Sequence, residues 1–68
     1  WNMAKIQLNG KKISLKNRIS IKQLLLKYKL LNKRVAIELN GKIIPTTKYK
    51  IILKDRDIVE IVHFIGGG

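Results

Sequence analysis

The sequence predicts a small α+β domain in which a mixed sheet carries one main helix on one face. Three observations lead there. Two Asn-Gly pairs, Asn9-Gly10 and Asn40-Gly41, sit beside short stretches of alternating apolar and polar residues. One segment, after Ser20, has apolar residues at helical spacing. The chain then finishes on an apolar, β-branched run. A hairpin, one helix and further strands give the order β-β-α-β-β-β, with the helix packed on one sheet face.

The first strand covers Ala4–Leu8, where Ile6-Gln7-Leu8 alternates, and the second covers Lys11–Leu15, where Ile13 and Leu15 alternate. Asn-Gly between them favours a two-residue type I′ turn, because that turn needs φ > 0 at both central residues. Ser20 is a good N-cap and Gln23 stands three residues on, which makes a capping box. Ile21, Leu24, Leu25 and Tyr28 fall at i, i+3, i+4 and i+7, one helical face. That helix is expected from Ser20 or Ile21 to about Lys29, ending before Asn32. A third strand follows from Val35, Ile37 and Leu39. Ile43-Ile44 is a short apolar piece stopped by Pro45, and Thr46–Lys50 reads as a loop or one helical turn. Ile51–Leu53 reads as another short strand, Lys54-Asp55-Arg56-Asp57 as a polar turn, and Ile58–Ile65 as the last strand. The core should be built from the helix stripe against Ile6, Leu8, Val35, Ile37, Val59 and Ile61.

With 68 residues, the chain holds one domain with a thin core. Residues 1–65 read as that domain and residues 66–68 as a flexible glycine tail. Trp1 and Asn2 precede Met3, which reads as the native initiator, so both are set aside from the fold. The formal net charge is +11, from 15 Lys+Arg against 4 Asp+Glu. Lys and Ile occur 12 times each, a skew that an AT-rich coding sequence produces whatever the function. The lysines spread along the whole chain instead of clustering, so the charge is read as composition before a nucleic-acid footprint. Without cysteine, disulfides, thiolate metal sites and a cysteine nucleophile are excluded, and a single histidine excludes a His cluster for zinc. No apolar run reaches a membrane span of roughly 18–20 residues.

Catalytic constellations are absent from the sequence, and no metal ligand set stands out. Asp55 and Asp57 flank Arg56, where acids commonly accept turn hydrogen bonds. His63 has no carboxylate near it in sequence to orient it as a base. Ser20 already has a capping role. No glycine-rich loop opens a helix to cradle a phosphate.

The chain's chemistry is concentrated at its end. Val59-Glu60-Ile61-Val62-His63-Phe64-Ile65 runs straight into Gly66-Gly67-Gly68. Glycine lacks a Cβ, so such a segment threads a narrow channel and presents the terminal carboxylate without obstruction. This tail, together with "MAKIQLNGKKISL", "SIKQLLLKYKL", "VAIELNGKIIP" and "KDRDIVEIVHFIGGG", resembles the ubiquitin-like β-grasp sulfur carriers, in particular those of the thiamine pathway. The resemblance covers Met3 to Gly68. The family's acid-x-acid turn matches Asp55-Arg56-Asp57, and its terminal diglycine matches Gly67-Gly68, with Gly66 extending it. The strong positive charge departs from the family without touching the motif.

The resemblance implies a β-grasp fold with the first and last strands side by side and parallel. It implies that the Gly68 carboxylate is adenylated by a ubiquitin-activating-like adenylyltransferase using ATP and Mg²⁺. Sulfur drawn from cysteine through a cysteine desulfurase then replaces AMP, and the thiocarboxylate supplies thiazole synthase. Gly66 and Gly67 would thread the partner's channel. The chain would be a co-substrate and not an enzyme, binding no cofactor itself, in bacterial cytoplasm or an organelle stroma. The molybdopterin-synthase small subunit and a tRNA-thiolation carrier share this chemistry and stand as alternatives. A small basic RNA-binding module is the more distant one, and it would need stacking aromatics on a sheet face. Along the last strand, Val59, Ile61 and His63 face one way and Glu60, Val62 and Phe64 the other. Glu60 is not expected to be buried unpaired, so its side is the outer one. That exposes Val62 and Phe64 just before the tail, as a docking surface for the partner.

Overall fold

The computed structural model describes residues 3–64. Five strands form one sheet: β1 (Ala4–Leu8), β2 (Lys11–Leu15), β3 (Val35–Leu39), β4 (Lys42–Ile44) and β5 (Ile58–His63). A single α-helix, α1 (Ile21–Lys27), lies between β2 and β3, and a short 3₁₀ turn spans Thr46–Lys48. The strand order is β2-β1-β5-β3-β4. The β1–β2, β3–β5 and β3–β4 pairs are antiparallel. The first and last strands are neighbours and parallel, with Gln7 opposite Ile58 and Leu8 opposite Val59.

Both Asn-Gly pairs make the turns their chemistry favours. Asn9 and Gly10 have φ of 49° and 84°, Asn40 and Gly41 52° and 85°. Each joins strands whose ends are directly opposed, Leu8 to Lys11 and Leu39 to Lys42. The two asparagines do more than turn the chain. The Ile61 N–H donates to Asn9 Oδ1 at 2.7 Å, and the Ile58 N–H donates to Asn40 Oδ1 at 2.8 Å. In return the Asn9 and Asn40 N–H groups donate to the Val59 and Ile58 carbonyls at 2.9 and 2.8 Å. Both turns therefore grip β5 from opposite sides.

The capping box forms as expected. The Gln23 N–H donates to Ser20 Oγ at 3.1 Å, and the Ser20 N–H donates to Gln23 Oε1 at 2.9 Å. The helix is shorter than its apolar spacing predicts. Its C-cap is Tyr28, and Lys29 turns left-handed at φ 59°. The Leu30 N–H then bonds the Leu25 carbonyl at 2.8 Å, and the Lys29 N–H the Leu26 carbonyl at 3.1 Å. That pair of bonds is a Schellman ending, which satisfies the last carbonyls. The ending rotates Tyr28 off the buried stripe, so it is 42% exposed, while Leu30 and Leu31 pack against the core.

Ile51–Leu53 is not a strand of the sheet. Ile52 makes only an isolated bridge with Ser20. The segment instead serves the helix start. The Ile21 and Lys22 N–H groups donate to the carbonyls of Ile51 and Tyr49, both at 3.0 Å. Together with the Gln23 N–H on Ser20 Oγ and the Ser20 N–H on Gln23 Oε1, they satisfy all four amides that a helix N-terminus leaves open. Leu53 meanwhile enters the core, fully buried.

The core is aliphatic and lies between the helix and one sheet face. Ile21, Leu24 and Leu25 from α1 meet Ile6, Leu15, Ile37, Val59 and Ile61 from the sheet, with Leu53 closing the helix end. Leu8 and Val35 pack against this cluster, half-buried.

Candidate functional site

β5 is the central strand and the one that leads to the glycines. Its alternation gives it two unlike faces. Val59 and Ile61 are buried under the helix, whereas Ile58, Glu60, Val62 and Phe64 are exposed on the other side of the sheet. Val62 is 48% exposed and Phe64 60%, on the outer side that the strand period assigns them. Phe64 remains tied to the sheet after β5 ends, its N–H donating to the Arg34 carbonyl at 2.9 Å. Gly66, Gly67 and Gly68, the residues expected to thread and to be modified, lie outside the described residues.

Register shows what else shares this outer face. Ala36 lies opposite Val62, Glu38 opposite Glu60 and Ile43 opposite Glu38. Ile43 is 73% exposed. Ile58 lies opposite Gln7 on β1 and is exposed as well. Among the described residues, the outer sheet face thus carries Ile43, Ile58, Val62 and Phe64 as large exposed apolar side chains along the length of β5. Reading the last strand alone finds three of them, because Ile58 shares the period of Val62 and Phe64. Ile43 becomes visible only through the Asn40-Gly41 turn, which sets its register against Glu38.

The acid-x-acid turn holds the entry to β5 instead of forming a reactive pair. Asp57 Oδ2 accepts from the Lys54 N–H at 2.7 Å, and Asp57 Oδ1 from Asn40 Nδ2 at 3.1 Å. Asp55 Oδ1 accepts from the Lys5 N–H at 2.8 Å. Arg56 sits between them at φ 71°, its N–H donating to the Lys5 carbonyl at 2.7 Å. The turn thereby locks β5 beside β1. Ser20 is committed to its cap, and His63 ends β5 exposed, opposite Val35. No three of His, Cys, Asp and Glu come together among the described residues. Nor do their aromatics make a stacking platform: Tyr28 follows the helix, Tyr49 packs against the core, and Phe64 alone is on the outer face. Among the described residues, no helix is long and apolar enough to cross a membrane.

Comparison with known proteins agrees with this geometry. The ThiS family model matches residues 4–68. The sulfur carrier protein ThiS of Bacillus subtilis strain 168 is 48% identical over 65 residues, covering 93% of this chain and 98% of that protein. The protein called ycf40 of Pyropia yezoensis is 40% identical over 65 residues, covering 93% of this chain and 90% of its own. Among solved structures, the thiamine biosynthesis protein ThiS of Geobacter metallireducens superposes with a TM-score of 0.81 at 29% identity, covering 94% of this chain and 99% of that one. The chain belongs to the ThiS family, the ubiquitin-like β-grasp sulfur carriers of thiamine thiazole biosynthesis, which act as co-substrates and not as enzymes.

Proposed function

We propose that the sulfur is carried on Gly68 and that the outer face of β5 presents the domain to the enzymes that load and unload it. A carboxylate is a poor acyl donor. A partner adenylyltransferase joins the Gly68 carboxylate oxygen to the α-phosphorus of ATP, with Mg²⁺ on the phosphates and pyrophosphate leaving. A persulfide formed on a desulfurase from the sulfur of cysteine then attacks the acyl carbon, AMP leaves, and a thiol reductant cleaves the resulting acyl disulfide, itself becoming oxidised to a disulfide. The resulting thiocarboxylate gives its sulfur to thiazole synthase. Gly66 and Gly67 keep the approach free of side chains. Val62 and Phe64 let the partner hold the folded domain while the glycines enter. Bacterial cytoplasm or an organelle stroma suits this cycle, since both supply ATP.

The observation that carries the proposal is the exposure of Val62 and Phe64 on the one strand that runs into the glycines. A contiguous exposed apolar patch marks a binding surface more often than it arises by chance. The test is intact mass spectrometry after incubation with ATP, Mg²⁺, the cognate adenylyltransferase and a sulfur donor. Replacement of one oxygen by sulfur, mapped to Gly68, is the expected result. An unmodified terminus under conditions that load a known family member would overturn it.

A further inference from the structure

The outer sheet face has an acidic centre, which the overall charge of the chain makes improbable by composition alone. Glu38 and Glu60 are two of only 4 acidic residues against 15 basic ones. Register places them directly opposite each other across β3 and β5. Opposed residues on antiparallel strands have Cβ atoms about 4.5–5.5 Å apart, and like charges there are destabilising. Neither carboxylate takes part in an ion pair among the described residues; the ion pair found there joins Arg56 to Asp55 at 4.0 Å. The other two acids, Asp55 and Asp57, are occupied by backbone amides in the turn before β5. Among the described residues, Glu38 and Glu60 are therefore the two acids that no ion pair or hydrogen bond occupies.

Their surroundings give the pair a direction. Ile43 flanks Glu38 across the sheet, and Ile58 and Val62 stand two residues either side of Glu60 on the same face. All three are exposed. An apolar rim around paired carboxylates excludes water once covered, which strengthens a charge–charge contact at its centre. The shape and charge fit a protein surface that is apolar around one cationic side chain. A guanidinium fits best, because its fork can meet both carboxylates with parallel hydrogen bonds.

We infer that Glu38 and Glu60 form a receptor for a cationic side chain, an arginine above all, on the partner that docks against Val62 and Phe64. The inference rests on the docking reading given above and names the chemistry that reading leaves open. It also explains why two like charges are kept side by side in a lysine-rich chain: the repulsion is relieved only in the complex.

The probe is the cognate adenylyltransferase, with affinity measured by calorimetry without ATP for the full chain, the Glu38→Gln/Glu60→Gln double variant, Glu60→Gln alone and Phe64→Ala. The double variant should bind about tenfold more weakly or worse, and its affinity should depend less on salt. Its thermal midpoint should not fall, because a repulsive pair has been removed; Glu60→Gln alone, at an exposed position, gives a second fully folded reading. The sign is diagnostic. The double variant carries two more net positive charges, so a partner that reads only overall charge would bind it more tightly. Unchanged or tighter binding by the double variant, with Phe64→Ala still weakened, would overturn the acidic receptor and leave the docking face standing. Unchanged binding by every variant would overturn both. Loss in the glutamate variants with Phe64→Ala unaffected would uphold the receptor and remove Phe64 from the interface.

Discussion

The two faces of β5 are made from one continuous hexapeptide, yet they do opposite things. On the helix side, Val59 and Ile61 are buried among Ile6, Leu24 and Ile37, and their apolar area goes into stability. On the other side, Ile58, Val62 and the following Phe64 leave comparable area in water, which contributes nothing to folding. Burying an aliphatic side chain is worth about 1.5–3 kcal/mol. A domain of this size has a small stability margin, so several such residues left uncovered set the outer face apart from the core. The inner face holds the strand still; the outer face is the one proposed above to meet a partner.

The sharpest separation lies beyond both faces. Deleting Gly67 and Gly68 should abolish formation of the thiocarboxylate while the thermal midpoint stays within error, since the core of the described residues is built between Ala4 and Ile61. Mass spectrometry and a melting curve on the same sample check both halves. A C-terminal tag should act likewise. Sulfur loading at the terminus of a tagged chain would show that chemistry does not run through Gly68.

On the inner face the loss should be in stability. Leu24 is fully buried at the centre of the helix contact. Leu24→Ala should cost about 2–5 kcal/mol, from lost transfer energy and a residual cavity. Chemical denaturation reads it directly. A variant as stable as its parent would mean that the helix does not hold the sheet.

On the outer face the pattern should invert. Phe64→Ala should weaken binding to the adenylyltransferase by about 2 kcal/mol, roughly thirtyfold, as a central interface aromatic does. Its stability should change by less than about 0.5 kcal/mol, the usual range for an exposed position. Loss of stability with unchanged affinity would reverse the roles of the two faces.

Much of this division is legible in the sequence because it depends on local rules. Asn9-Gly10 and Asn40-Gly41 announce both hairpins, Ser20 and Gln23 announce the helix start, and period-two alternation sorts Val62 and Phe64 from Ile61. What is not legible depends on contacts between distant segments. Tyr28 continues the helical stripe in sequence, but the chain spends its next residues on the Schellman ending, and Leu30, half-buried, packs against the core instead. Ile51–Leu53 has strand composition, yet its Ile51 carbonyl accepts from the Ile21 amide at the helix start and its Leu53 amide donates to the Ile19 carbonyl, far away in sequence. The outer face is half legible for the same reason. Ile58, Val62 and Phe64 follow from one strand's period, whereas Glu38 and Ile43 join them only through the register of β3 and β4 with β5.

The second function of the two asparagines is equally invisible in sequence, and it supplies the smallest effect. Asn-Gly needs no side-chain partner to turn a hairpin, so Asn9 and Asn40 are fully explained by their φ values until β5 is in place. In the fold their Oδ1 atoms accept from Ile61 and Ile58, amides of β5 itself. Asn40→Gly keeps the left-handed conformation available and removes only the side chain's bonds to Ile58 and Asp57. A typical intramolecular hydrogen bond contributes about 0.5–1.5 kcal/mol net, so this variant should lose about 1–2 kcal/mol, less than Leu24→Ala. Asn9→Gly, which loses one bond, should cost about 1 kcal/mol. The more telling readout is amide hydrogen exchange. The Ile58 amide should lose protection in Asn40→Gly and the Ile61 amide in Asn9→Gly, each in its own variant. Equal protection in both variants and the parent would mean that sheet pairing alone fixes β5, and that the two faces are held apart by the ladder without help from the turns.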